Sequence, residues 1–124
     1  MKYLLLFLFV SSTVFAQKRE ALNEFAFAKA EQLQQQETRP YLVFLHTDWC
    51  KYCRGMEQNT FTNPAVVEVL NRDYYFIPFN AETTESITFA NRSFHYKPTG
   101  TKTGMHELAM ALGTIDGKVS FPTI

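Results

Sequence analysis

Two cysteines, Cys50 and Cys53, are the only thiols in this chain of 124 residues, and they stand three positions apart in Trp49-Cys50-Lys51-Tyr52-Cys53. The motif follows directly on the apolar run Tyr41-Leu42-Val43-Phe44-Leu45 and leads into helix-forming residues. It therefore reads as strand, turn and helix start. That places the first sulfur at a helix N-terminus, where free N–H groups and the helix dipole favour an anion. The second sulfur falls one turn on, within reach of a disulfide. Disulfide exchange needs a thiolate that attacks and a second thiol that resolves the mixed disulfide. Cys50 fits the first role and Cys53, expected to be more buried, the second. Lys51 adds positive charge beside the thiolate, and Trp49 is placed to cover one side of the pair.

Three chemistries compete for such a pair: a redox dithiol, a structural disulfide, and a soft-metal set completed by His46 or His95. A secreted domain stapled by disulfides carries four or more cysteines, and a structural zinc normally takes two such pairs. Redox chemistry leads, with no metal and no cofactor expected. His95 and His106 read as hairpin surface and helix start, Met56 and Phe61 as core, and Tyr52 as a substrate contact or an aromatic cap.

Around the motif, the chain alternates helices and strands. Arg19–Gln36 carries Leu22, Phe25, Ala26, Ala30 and Leu33 at helical spacing and is predicted as one helix, stopped by Arg39-Pro40. Tyr41–Leu45 is apolar without alternation, which suits a central strand covered on both faces. Cys50–Gln58 is predicted helical, with Gly55 an internal weak point, and Asn59–Thr62 breaks it. Asn63-Pro64 reads as an N-cap followed by proline at the first helical position, opening a helix to Arg72. Tyr74–Phe79 is a second strand in which Pro78 must sit near an edge or the strand end. Ile87–Phe89 and Ser93–Tyr96 read as a small hairpin, Lys97–Gly104 as a polar loop, Met105–Leu112 as a short helix ended by Gly113, and Asp116-Gly117 as a turn. The order argues an α/β sandwich.

The segment Phe44–Cys53 resembles the active-site region of thioredoxin-fold proteins, and Phe121-Pro122-Thr123 resembles the cis-proline loop of that fold. A closer resemblance is to exported thioredoxin-like proteins similar to the periplasmic C-terminal domain of DsbD-type reductases. It is carried by Asp48-Trp49-Cys50, Cys53-Arg54-Gly55-Met56-Glu57 and Thr60–Val66. The resemblance implies a thioredoxin-like three-layer sandwich, a cis Phe121–Pro122 bond facing the cysteines, and a substrate groove lined by Trp49, Phe121 and Pro122. It also implies that the chain is truncated after the cis-proline loop, with two strands and a helix of the family lacking. The buried acid that thioredoxins carry six residues before the first cysteine is here Phe44. Glu57, four residues after Cys53 on the same helix, could take that role, and Glu57, Lys51 and His46 are the candidates for tuning the thiolate.

Met1-Lys2, the apolar run Tyr3–Val10 and the small residues Val14 and Ala16 have the pattern of a secretory signal. The apolar run is too short to span a membrane. Residues 1–16 are therefore expected to be a signal peptide and residues 17–124 the domain, without a stable membrane anchor after cleavage. The remaining 108 residues carry 11 basic and 12 acidic side chains, a net charge of about −1. Nothing in that balance favours nucleic acid or an anionic membrane. The expected protein is an exported monomeric thiol–disulfide oxidoreductase in a bacterial periplasm, with a eukaryotic secretory route the alternative. Its partners would be protein thiols or disulfides and an upstream electron donor. The competing reading is a non-enzymatic thioredoxin-like module that binds a partner or delivers a soft metal.

Overall fold

A computed structural model describes residues 19–124. The signal peptide expected over residues 1–16, and the start of the domain at residue 17, lie outside the described residues. Two parallel strands form the centre: β1 (Tyr41–His46) and β2 (Tyr75–Asn80), in register from Tyr41↔Tyr75 to His46↔Asn80. Alternation along β1 sends its side chains to two separate cores. Leu45 and Val43 pack on one face with Phe27 and Ala30 of α1 (Phe27–Gln34) and with Leu108 and Ala109 of α4 (Glu107–Gly113). Phe44 and Leu42 pack on the other face with Cys50, Cys53, Phe61 and Leu70. That second layer is α2 (Lys51–Gly55), a π-turn over Met56–Thr60 and α3 (Pro64–Asp73). Helices on both faces of a sheet give the expected three-layer α/β arrangement.

The first helix is shorter than predicted. Only Phe27–Gln34 is helical; the chain before it is extended and bridges β2 in parallel at Glu24↔Phe76. Phe25 N–H donates to the Phe76 carbonyl at 2.9 Å, and Asn71 of α3 holds Asn23 N–H, the Ala21 carbonyl and Glu20. An otherwise open strand edge and a side-chain clamp outweigh helix propensity here. Because Phe76 directs its carbonyl to this outer edge, Pro78, two residues on, directs its nitrogen there too. The missing N–H breaks no bond to β1, as the sequence required.

The helix after Cys50 extends beyond its predicted end at Gln58. Its last turn is widened into π geometry, with Phe61 N–H bonded to the Met56 carbonyl at 2.9 Å. The Asn59 side chain also donates to the Gly55 carbonyl, at 2.8 Å. The extra residue carries Phe61 into the core against Phe44 and Phe76, at 4.9 and 4.7 Å between ring centroids. Gly55 has helical dihedrals, and a Cβ there would meet nothing within 4 Å. Gly55→Ala should therefore stabilise the fold by about 0.5–1 kcal/mol, measurable by urea denaturation. A loss of stability would show that the π-turn needs the freedom of glycine. Asn63 caps α3 as predicted, accepting from Ala65 and Val66 N–H at 3.0 and 3.4 Å, with Pro64 in the first turn.

Beyond β2, three hairpins follow. β3 (Ile87–Phe89) and β4 (Arg92–Phe94) turn at Ala90-Asn91, both at positive φ. The predicted polar loop over Lys97–Gly104 is in fact a second hairpin, β5 (Tyr96–Pro98) with β6 (Gly104–His106). Gly104 lies against the Tyr96 ring with no room for a Cβ, a close approach that the local sequence does not announce. α4 starts at Glu107, two residues after the predicted Met105, because β6 runs to His106, which is fully buried and caps the helix by accepting Leu108 N–H at 3.2 Å. β7 (Thr114–Ile115) and β8 (Lys118–Val119) enclose the predicted Asp116-Gly117 turn.

Glu107 opens α4, accepts the His95 N–H at 2.8 Å and pairs with Lys97 at 3.0 Å. The His95 amide first, and Lys97 second, hold its carboxyl below the ordinary glutamate value. A carboxylate favoured in the folded state contributes stability that is complete above its unfolded value, about 4.3, and is lost as pH falls through the lower folded value. The stability difference between wild type and Glu107→Gln should thus shrink from pH 7 to pH 3 in urea melts. A difference that stays constant would contradict the assignment.

Candidate functional site

Cys50 is the N-cap of α2, and its sulfur accepts the Cys53 N–H at 3.1 Å. The first sulfur therefore sits at a helix start, as the spacing predicted. Cys50 and Cys53 are joined in a disulfide with Cα atoms 5.2 Å apart. Both are nearly closed off, 4% and 1% exposed, with Cys53 the deeper. The loop before them is held from three sides. Thr47 carbonyl accepts Cys50 N–H at 3.2 Å, Arg54 donates to the Asp48 carbonyl at 2.9 Å, and Asn80 at the end of β2 donates to the Asp48 carboxylate at 3.0 Å.

The Phe121–Pro122 bond is cis, as the resemblance implied. Thr123, next in the chain, exchanges both backbone hydrogen bonds with Leu45, at 2.8 and 3.3 Å. β1 thus has β2 along one edge and the cis-proline loop docked on the other. Phe121 packs against the core cluster that contains the two cysteines. Trp49 meets the edge of Phe121 at 6.0 Å between centroids and donates its indole N–H to Glu82 at 3.0 Å. Trp49 and Tyr52 stand 65% and 79% exposed, an aromatic rim beside a buried disulfide.

Of the remaining candidates, Lys51 is exposed in the first turn of α2. His46 ends β1 on the α2 side of the sheet, its ring stacked on Phe44 at 5.5 Å. Glu57 lies in the π-turn, exposed along one side. His46 and Glu57 both line a cavity of about 210 Å3 with Thr47, Asp48 and Arg54. The same two residues also line a larger cavity of about 890 Å3 that reaches Leu22, Phe61 and Phe76. The structure brings His46 and Glu57 together and leaves His95, on the far hairpin bonded to Ser86 at 2.8 Å, apart from them. Among the described residues, no group of three or more His, Cys, Asp or Glu side chains is arranged to hold a metal ion.

Sequence reasoning missed Glu82 and Asn80, and it gave Thr47 and Asp48 only as part of the loop and motif before Cys50, without their hydrogen bonds. Asn80 was within reach, because pairing the two strands in parallel register sets it opposite His46. Glu82 lies 33 residues from its tryptophan partner in an exposed turn, and no local pattern marks it.

A buried, helix-capping Cys50–Cys53 pair beside a cis-proline loop is the arrangement of a thiol–disulfide redox site. No helix of the described residues is long and apolar enough to cross a membrane. No curated protein matches the chain. A family model described as thioredoxin-like matches residues 20–100, more than half of the chain, and spans both cysteines, β1 and β2. The cis-proline loop lies beyond the matched stretch and is brought to the disulfide by the fold. The chain belongs to the thioredoxin-like family.

Proposed function

We propose that this protein is an exported thiol–disulfide oxidoreductase that reduces disulfides in other proteins. The observation that carries the reading is the Cys50–Cys53 disulfide at the start of α2, set beside the cis-proline loop. Cys50, between the exposed Trp49 and Lys51, attacks the substrate disulfide. Cys53 then attacks Cys50, closes the internal disulfide and releases the substrate thiols. Trp49, Phe121 and Pro122 receive the partner polypeptide. Support for export comes from the signal-like residues 1–16, and the periplasm follows from that pattern. The resemblance to the C-terminal domain of DsbD-type reductases favours the reducing direction, an upstream electron donor and a monomer.

The test uses the protein reduced with dithiothreitol, freed of reductant and mixed with insulin. One insulin disulfide should be reduced for each Cys50–Cys53 pair oxidised. Insulin disulfides that persist while the protein stays reduced would contradict the reading.

A further inference from the structure

We propose that Asn80 is a positioning residue for partner binding: its side-chain amide ties the Asp48 carboxylate to the turn after β2 and so keeps Trp49 in place at the rim of the site. The inference deepens the thiol–disulfide reading and rests on it for the part Trp49 plays. Asn80 is the last residue of β2 and stands opposite His46, the last residue of β1. The Ala81 N–H donates to the His46 carbonyl at 2.9 Å, so the two strands stay paired up to the point where each leaves the sheet. One continues into the redox loop, Thr47 to Cys50. The other continues into the turn that carries Glu82.

Asn80 uses both ends of its amide. Its Oδ1 accepts the Glu82 N–H at 2.9 Å, an Asx turn. That bond settles which way the amide faces. Nδ2 is therefore turned to Asp48 and donates to its Oδ1 at 3.0 Å. Glu82 accepts the Trp49 indole N–H at 3.0 Å. Asp48 and Trp49 are neighbours in the chain, so Asp48, Asn80, Glu82 and Trp49 close a ring. Arg54 braces the same loop from α2, donating to the Asp48 carbonyl at 2.9 Å. Asparagine is the side chain that fits this place. Aspartate lacks the donor that Asp48 needs, alanine lacks donor and acceptor alike, and glutamine is a methylene too long for the Asx turn.

The consequence falls on binding rather than on the exchange of sulfurs. Trp49 is 65% exposed, so packing alone does little to fix it. Held by the ring, it meets a partner polypeptide already in place. Released, it must be ordered each time a partner binds, and that entropy is lost from the affinity. Cys53 attacks Cys50 within the protein once the partner is covalently attached, and Trp49 takes no part in that step. Breaking the ring should therefore raise KM by about five- to tenfold and leave kcat within about twofold.

The experiment pairs steady-state insulin reduction, with dithiothreitol as electron source, with acrylamide quenching of Trp49, the only tryptophan of the chain. Asn80→Asp keeps the acceptor for the Glu82 N–H but sets a carboxylate against Asp48, where like charges repel. It should raise KM as stated and make Trp49 easier to quench. Asn80→Ala, which adds no charge, should move both readouts the same way. In the double variant Asp48→Asn with Asn80→Asp, amide and carboxylate trade places at unchanged net charge. KM and quenching should both return close to wild type, a rescue that general damage to the fold does not show. Unchanged quenching in Asn80→Asp would overturn the inference, as would a loss that the exchanged pair fails to repair or a kcat that falls as far as KM rises. A wild-type protein that reduces no insulin would instead sink the thiol–disulfide reading, a result separate from the quenching arm.

Discussion

Cys53→Ser is expected to convert the protein from a turnover reductase into a trap. Cys50 remains at the helix N-cap and still attacks, but no thiol is left to release the substrate. Insulin turnover should fall on the order of a thousandfold or more, while a one-to-one mixed disulfide accumulates on non-reducing gels and by mass. Cys50→Ser should form no mixed disulfide. The asymmetry is the informative result, because two cysteines of a structural disulfide would behave alike. If both variants trap substrate equally, the division of labour between the helix-capping sulfur and the deeper one is wrong.

The second large effect lies in the layer beneath the site. Phe44→Ala is expected to cost about 3–5 kcal/mol, lowering Tm by more than about 10 °C. Phe44 is fully buried, 4.9 Å from Phe61 and 6.4 Å from Phe76 between ring centroids, and it lines the larger cavity. Truncation would join that cavity to the space left by the ring and remove the surface on which His46 stacks. Phe44→Leu, which keeps most of the volume, should cost well under half as much. Equal losses for the two variants, in urea melts, would show that ring stacking outweighs filled volume at this position.

What could be read from the sequence follows from how local each signal was. The cysteine pair, its place at a helix start, the Asn63-Pro64 cap and the Asp116-Gly117 turn are each written within a few adjacent residues, and each stands in the structure. The cis bond at Phe121–Pro122 came from resemblance, since the residues alone imply only a turn. The errors arose where distant partners decide. Residues 20–25 have helical periodicity, yet Asn71 and the open edge of β2 draw them out straight. The Lys97–Gly104 stretch looks like a polar loop because β5 and β6 are three residues each and Gly104 is used for proximity to Tyr96. The π-turn was invisible because its cause, the seat of Phe61 between Phe44 and Phe76, lies on two other strands. The site shows the same division: its sulfurs were legible, while the groups that hold Trp49 and Asp48 in place come from the turn after β2 and from the last residue of β2.

The most direct test of the redox claim is an equilibrium titration of the Cys50–Cys53 couple against thiol–disulfide buffers, with free thiols alkylated and counted by mass. The proposed reductase should show one two-electron transition near the thioredoxin range, about −270 mV. A transition near −120 mV would contradict the reducing direction, and the absence of any defined transition would contradict the redox site itself.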